Sequence, residues 1–433
     1  IGRGYGQLHE IPDQLSILQG LTKSAARIDH PTDAPAKVAE AFRQLRTGRP
    51  RPVALEMPLD QLAEACSVDL LDAATDHARP PVDEDALAKA AKLLAGAKAP
   101  MIFVGSGAVD SGEAIQALAE MLQAPVIANR TGRGIVSHRH YLSMMHLEGH
   151  RLWADADVVL AIGSRLQPAR MNWGTDDNLK IIHVDIDPVE IKRIAAPDVA
   201  LVGDAQDIVP ALVDAVGKQA PSRASREDEL VTLQGEVHKM LLDRLGPQMS
   251  WIKVIREALD DDGIFVDELT QVGYVSRVAM PVYQPRKYLS SAYQGTLGCG
   301  LGVAIGAKIA NPERQVLSIN GDGGFMYNVQ ELATAAKYNV NVVAIVFADG
   351  AFGNVRRMQE ELYDGRTIAS DLHNPDFVKM AESFGCAAYR AESPDELAKV
   401  LPTAFKQSGP AVIEVPFPKT PDPWPIIIPG RNR

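Results

Sequence analysis

One stretch constrains this chain more than any other. Gln315-Val316-Leu317-Ser318-Ile319 is a short, mostly apolar run of strand length. Asn320-Gly321-Asp322-Gly323-Gly324-Phe325 follows at once, and Val329, Leu332, Ala333 and Ala336 then recur at helical spacing. A second apolar run over 342–347 ends in Ala348-Asp349-Gly350. Strand, glycine-rich turn, helix and strand in this order predict two parallel strands joined by a right-handed crossover. Both strand ends then lie on one edge of the sheet, where open α/β sheets bind ligands. Asp322 and Asp349 are therefore expected to approach each other. Paired carboxylates flanked by glycines suit a hard divalent cation, which takes oxygen ligands. Gly321, Gly323 and Gly324 allow backbone N–H groups close to an anion. Glycine and aspartate also end strands because turns need them, so a lone Gly-Asp-Gly is compatible with either reading.

The same alternation runs through most of the chain. Residues 87–94 are a helical pattern, and Pro100-Met101-Ile102-Phe103-Val104 is a strand ending in Gly105-Ser106-Gly107. A helix over 112–122 and strands over 125–127, 158–162 and 181–185 follow, and later strands are read at 264–266 and 411–414. This predicts α/β architecture: three-layer domains built on parallel sheets, the central one Rossmann-like. Five segments are expected: 1–60, a partial domain with a helix over 35–46 and a strand over 53–57; a linker, 61–83; a central domain, 84–218; a polar linker, 219–249; and a last domain, 250–433. At about 100–200 residues per domain, 433 residues allow two to four. The closing run 421–429, rich in proline, is expected not to be helical and to form an arm over the site or a neighbouring subunit.

Composition excludes several classes. The chain carries 44 Lys+Arg against 55 Asp+Glu, a net charge of −11, with no basic stripe, so no nucleic-acid partner is expected. Its apolar runs are too short to span a bilayer, so no membrane partner is expected either. Cys66, Cys299 and Cys386 are widely spaced, with neither a metal-ligand pair nor a disulfide framework, which fits a reducing, cytoplasmic compartment. Residue 1 is Ile and no signal-peptide pattern follows it, so the chain reads as beginning partway through a domain.

Several motifs together resemble the acetolactate synthase-like branch of the thiamine diphosphate enzymes. Gly321-Asp322-Gly323 followed by Asp349-Gly350 resembles the family's metal-diphosphate motif. Gly295-Thr296-Leu297-Gly298-Cys299-Gly300-Leu301 resembles its pyrimidine-contacting loop. Gln330-Glu331-Leu332-Ala333-Thr334-Ala335, His183-Val184-Asp185-Ile186-Asp187-Pro188, and Asn374-Pro375-Asp376-Phe377 through Phe384-Gly385 match further runs in order. The resemblance implies a thiamine diphosphate-binding fold and a Rossmann-like central domain. It implies Mg²⁺ held by Asp322, Asp349 and the Ala351 carbonyl, with Asp349 standing where the family usually has Asn. Thr270 and Gln271, with the loop of Gly321, Gly323 and Gly324, would hold the diphosphate. Gly295 would meet the aminopyrimidine, and Leu297 would be the apolar wedge that bends the cofactor; packing in the core is the other reading of Leu297.

By the same resemblance the reaction is decarboxylation of a 2-oxo acid, its product protonated or joined to a second carbonyl compound. A homodimer or homotetramer is implied, with each site between two subunits. The family glutamate that protonates the pyrimidine ring would lie upstream of Ile1. Glu10, Glu40 and Glu56 sit in no matching motif, so the catalytic residue is unassigned, and a catalytically incomplete cofactor-binding subunit is the competing reading. Residues 163–170 depart from the acetolactate synthase form, which leaves FAD doubtful and permits Arg170 to bind a second substrate's carboxylate only with a one-residue shift. Met358 stands where those enzymes often carry Trp. A phosphoryl-transfer enzyme ranks low because no Walker lysine loop or kinase loop is present.

Gly105-Ser106-Gly107 lacks the third glycine of a dinucleotide fingerprint and reads as a tight turn. His138, His140, His146 and His150 read as solvated or hydrogen-bonded histidines rather than ligands. Arg356-Arg357 with Glu360-Glu361 reads as a solvated helix face of i,i+4 pairs.

Overall fold

In the computed structural model, residues 4–6, 9–72, 79–291 and 293–433 are described. Part of the expected first linker, 73–78, and the first three residues lie outside them. The chain divides into two units, residues 1–81 with 186–189, and residues 82–185 with 190–433.

The first unit holds two parallel strands, β1 (Ser24–Arg27) and β2 (Val53–Glu56), paired from Ser24↔Val53 to Arg27↔Glu56. The helix Ala34–Arg46 joins them, as the apolar spacing over 35–46 predicts. Its Val38, Phe42 and Leu45 are exposed. Glu56, nearly buried at the end of β2, accepts from Arg27 Nε (2.5 Å) and Gln14 Nε2 (3.0 Å).

The second unit contains two six-stranded parallel sheets. The first is built from β3 (Pro100–Val104), β4 (Val126–Ala128), β5 (Ser143–Met144), β6 (Val158–Ile162), β7 (Lys180–Asp185) and β8 (Val199–Val202), in the order β5-β4-β3-β6-β7-β8. The second is built from β9 (Ile264–Asp267), β10 (Tyr288–Ser290), β11 (Val316–Gly321), β12 (Val343–Ala348), β13 (Ala387–Arg390) and β14 (Ala411–Pro416), in the order β10-β9-β11-β12-β14-β13. Alternation along β12 shows why helices must cover both faces: Val343, Ile345 and Phe347 enter one core, Ala344 and Val346 the other. The predicted three-layer parallel architecture is thus present in both sheets.

Two expectations are corrected. The segment 219–249 is not a linker throughout: one helix runs Glu227–Ala258, kinked at Leu245 ahead of Pro247, whose ring and missing N–H disrupt the ladder. Leu230 on this helix belongs to the core of the first sheet, and Val237, Leu241, Leu245 and Trp251 to that of the second. The closing run 421–429 holds one helical turn, Trp424–Ile427, with proline in its first turn, where the missing N–H costs nothing. Ile426 and Ile427 are buried in the second core.

Buried polar contacts also join the two sheets' layers. Arg133 donates to the carbonyls of Ser276 (2.9 Å) and Met280 and lies over the Tyr288 ring. Residues 430–433 return to the first sheet's side, where the Asn432 and Arg433 N–H groups both donate to the Trp173 carbonyl. No described helix is long and apolar enough to cross a membrane.

Candidate active site

The second sheet reverses its strand order between β9 and β11, and ligands of open α/β sheets sit at such a switch point. Three neighbouring strands end there. β9 leads to Thr270-Gln271, β11 to Asp322-Gly323-Gly324, and β12 to Asp349-Gly350-Ala351. Parallel pairing of Gly321 with Phe347 sets the two aspartate loops side by side, as the crossover argument requires.

Asp322 is buried. Its Oδ1 accepts from the Gly323 N–H (2.8 Å), and its Oδ2 accepts from the Gly350 N–H and from Asn374 Nδ2, both at 2.7 Å. The Asp349 Oδ1 accepts from the Ala351 N–H (3.2 Å). Burial, and secondly the charge of Asp322, push the Asp349 carboxyl up to about 6. Two partly dehydrated carboxylates that repel each other are relieved by a shared cation, so the donor set fits a hard divalent ion. Ala351 faces Asp371 in an isolated antiparallel bridge, whose bonds run through the Phe352 N–H to the Ser370 carbonyl and the Leu372 N–H to the Gly350 carbonyl. The Ala351 carbonyl takes no part in those bonds.

The anion side has the features a diphosphate needs. Thr270 caps the helix Gln271–Ala279, its Oγ1 accepting from the Gly273 N–H (2.7 Å). The Gln271 Oε1 is buried and has no hydrogen-bond partner among the described residues; toward an anion it is the Gln271 amide NH₂ that could donate. A Cβ on Gly323 would press on the Phe352 ring, and one on Gly324 would overlap Glu268 Oε1. These positions exclude side chains because the Phe352, Leu372 and Glu268 side chains already fill the space, which leaves only backbone at Gly323 and Gly324. Gly295, in the left-handed region at φ +61°, and half-buried Leu297 lie on the loop before the helix Cys299–Ala310. Leu297 belongs to neither core of this sheet, so core packing does not explain it.

Two site residues escaped the motif reading. Glu268 follows β9 and is almost wholly buried, and it accepts from the Gly298 (2.7 Å) and Gly300 (2.8 Å) N–H groups. Burial raises its carboxyl, and the two amides oppose that rise. An acid pair, Asp267-Glu268, at the end of an apolar strand was the available signal. Asn374 lies in the matched Asn-Pro run, but its contact with Asp322 has no local signature.

Other candidates stand apart from this cluster. Arg170 donates to the Ala195 (2.9 Å) and Ala196 (3.3 Å) carbonyls. Met358 is exposed at 42% on the helix Gly353–Leu362, where Arg356 pairs with Glu360 and Arg357 with Glu361, as the i,i+4 spacing predicts. In the first sheet, Gly105 and Gly107 lie directly against Gly163, so the strand-end loops of β3 and β6 pack on each other. His140 bonds to Glu120 and His150 to the Gly430 carbonyl, while His138 and His146 are held well below the usual histidine range, each at about 4, chiefly by burial.

Comparison with known proteins bears on this geometry. Residues 87–212 match the family model described as the thiamine pyrophosphate enzyme central domain, and residues 270–415 match the C-terminal TPP binding domain. A probable 2-ketoarginine decarboxylase AruI of Pseudomonas aeruginosa is 33% identical, the match covering 96% of this chain and 75% of that protein. The chain belongs to the thiamine diphosphate enzyme family. Within it, the acetolactate synthase isozyme 1 large subunit of Escherichia coli is 29% identical over 96% of this chain and 76% of that protein, and a probable acetolactate synthase large subunit of Methanocaldococcus jannaschii is 32% identical over 96% and 75%. This thiamine diphosphate-dependent enzyme is therefore related both to acetolactate synthases and to a 2-ketoarginine decarboxylase. The switch-point loops with Thr270, Gln271, Asp322, Asp349 and Ala351 all fall inside the matched C-terminal binding domain.

Proposed function

We propose that this enzyme decarboxylates a 2-oxo acid, using thiamine diphosphate and Mg²⁺ held at the switch point of the second sheet. The observation that carries the reading is the convergence of the Asp322–Asp349 pair, the Gly323-Gly324 backbone and the Thr270-capped helix start at one edge. Thiamine diphosphate, when bound, supplies an electron sink for the bond that breaks as carbon dioxide leaves. Asp322, Asp349 and the Ala351 carbonyl would hold the cation, and Thr270, Gln271 and the Gly321–Gly324 loop would orient the diphosphate. Leu297 would fix the bend of the cofactor and, with Gly295, keep water from the reacting end.

Decarboxylation is favoured over synthesis of acetolactate by two residues. Arg170, the candidate for holding a second substrate's carboxylate, is engaged with backbone carbonyls. Met358 supplies no indole plane. The relative named as a decarboxylase points the same way. Carboligation to a second carbonyl compound is the alternative outcome. We further propose that the working enzyme is a homodimer or larger homo-oligomer. This reading is supported by the exposed Val303 and Ile309 on the helix Cys299–Ala310, beside Gly302 and Gly306, which have open space around them.

Scanning calorimetry of the full-length protein with thiamine diphosphate plus Mg²⁺, followed by carbon dioxide release from a panel of 2-oxo acids, tests the reading. A raised melting temperature and release from at least one acid are expected. No thermal shift would sink it, and ligated products without a free aldehyde would favour carboligation.

A further inference from the structure

We propose that Glu268 is the positioning residue that holds the two ends of the cofactor cradle at a fixed separation. The proposal rests on the thiamine diphosphate reading above. Glu268 is 1% exposed, and its two carboxylate oxygens accept separately from the Gly298 and Gly300 N–H groups. Those amides begin the helix Cys299–Ala310, whose N-cap, Gly298 at φ +81°, has no side chain to cap it. A carboxylate from another strand thus satisfies the free N–H groups of the first turn, and the positive end of the helix favours its charge.

Three further contacts, one of the carboxylate, one of the residue's backbone and one of the Gly298 loop it holds, place Glu268 at the junction of the cradle. Gly324 approaches Glu268 Oε1 so closely that any Cβ would overlap it. The Thr270 N–H donates to the Glu268 carbonyl at 2.9 Å, tying it to the start of the helix Gln271–Ala279. Asn328 Nδ2 donates to the Gly298 carbonyl at 2.7 Å, holding the same loop from the segment after Gly324. Thr270, Gly323 and Gly324 stand at the diphosphate end, and Gly295 and Leu297 at the ring end. Glu268 links the two. A ligand that spans both ends needs their separation held, whereas a ligand that fills only the anion end does not.

That difference supplies the test. Calorimetric titration of the full chain would measure the affinity for thiamine diphosphate with Mg²⁺ and, separately, for inorganic pyrophosphate with Mg²⁺. Glu268→Gln keeps the volume and one acceptor but turns an NH₂ group toward the other amide. It is expected to weaken thiamine diphosphate about tenfold or more, since hydrogen bonds to a charged group are the strong ones, while pyrophosphate stays within about twofold. Glu268→Asp, which keeps the charge but shortens the reach to the Gly298 and Gly300 amides, is expected to show the same selective loss at about threefold, and it decides the matter if circular dichroism shows that Glu268→Gln does not fold. Equal losses on both ligands, or no loss on either, overturn the proposal. A wild-type chain that binds no thiamine diphosphate sinks the cofactor reading and this proposal together. A wild-type chain that binds it, with Glu268→Gln binding as tightly, sinks this proposal alone.

Discussion

Asn374 Nδ2 donates to Asp322 Oδ2 at 2.7 Å, across 52 residues of sequence. The same oxygen takes the Gly350 N–H, so the carboxylate is oriented from both the β12 loop and the loop before the helix Phe377–Ser383. Groups that orient a metal ligand are worth about 10–100-fold in affinity. Asn374→Ala is therefore expected to weaken Mg²⁺ activation of cofactor binding by about that factor, read by Mg²⁺ titration at saturating thiamine diphosphate. An unchanged titration would show that Asn374 only closes the loop.

The two aspartates should respond differently to amide replacement. Asp322→Asn replaces a carboxylate whose oxygens accept three N–H groups and puts an NH₂ among them, so cation affinity should fall by about 100-fold or more. Asp349→Asn keeps the oxygen and removes the repulsion, so near wild-type affinity is expected at pH 7.

The pH profile of cation binding separates them further. A protonated Asp349 carboxyl would have to lose its proton before offering an oxygen to a cation, and that carboxyl is raised to about 6, so protons should compete with the cation as pH falls through that value. Wild-type affinity should fall about tenfold per pH unit below about 6, while Asp349→Asn should stay nearly flat between pH 5 and 7. Parallel profiles would exclude Asp349 as a ligand.

Gly324→Ala should be damaging out of proportion to one methyl group. Its Cβ would overlap a buried, doubly bonded carboxylate that has no room to retreat. Overpacking of this kind costs about 1–3 kcal/mol, and a lowered melting temperature together with lost cofactor binding is expected. Retained binding with an unchanged melting temperature would mean that the Gly298 loop can move away.

Glu148 offers a pH test away from the site. It is buried, its Oε2 has no hydrogen-bond partner among the described residues, and burial raises its carboxyl to about 7. With the folded value above the unfolded one, the native state binds the extra proton. Stability is then lost as pH rises from about 4.5 to about 7, and the loss is complete above that. Glu148→Gln should melt on the order of 5 °C above wild type at pH 8, and the gap should close near pH 4. A gap independent of pH would place the effect in packing rather than ionisation.

Much of the fold was legible because it follows from local periodicity. The run 158–162 is the strand Val158–Ile162, and the 112–122 pattern is the helix Gly112–Leu122. The approach of Asp322 and Asp349 needed only the handedness of one crossover. The helix Glu227–Ala258 was hidden for a physical reason. Leu230 packs in the first core and the later buried residues in the second, and the proline kink interrupts that second set, so no single apolar stripe runs its length.

By itself, the sequence determined the alternating elements, the parallel sheets, the approach of the two aspartate loops and the family. These depend on side-chain spacing over a few residues and on the fixed hand of the chain. Only the tertiary structure decided that Glu268 would reach Gly298 and Gly300, that Asn374 would meet Asp322, and that Leu297 would stay outside the core. Such contacts depend on the paths of loops between strands. A hydrogen bond between residues 30 to 52 positions apart leaves no periodicity to read.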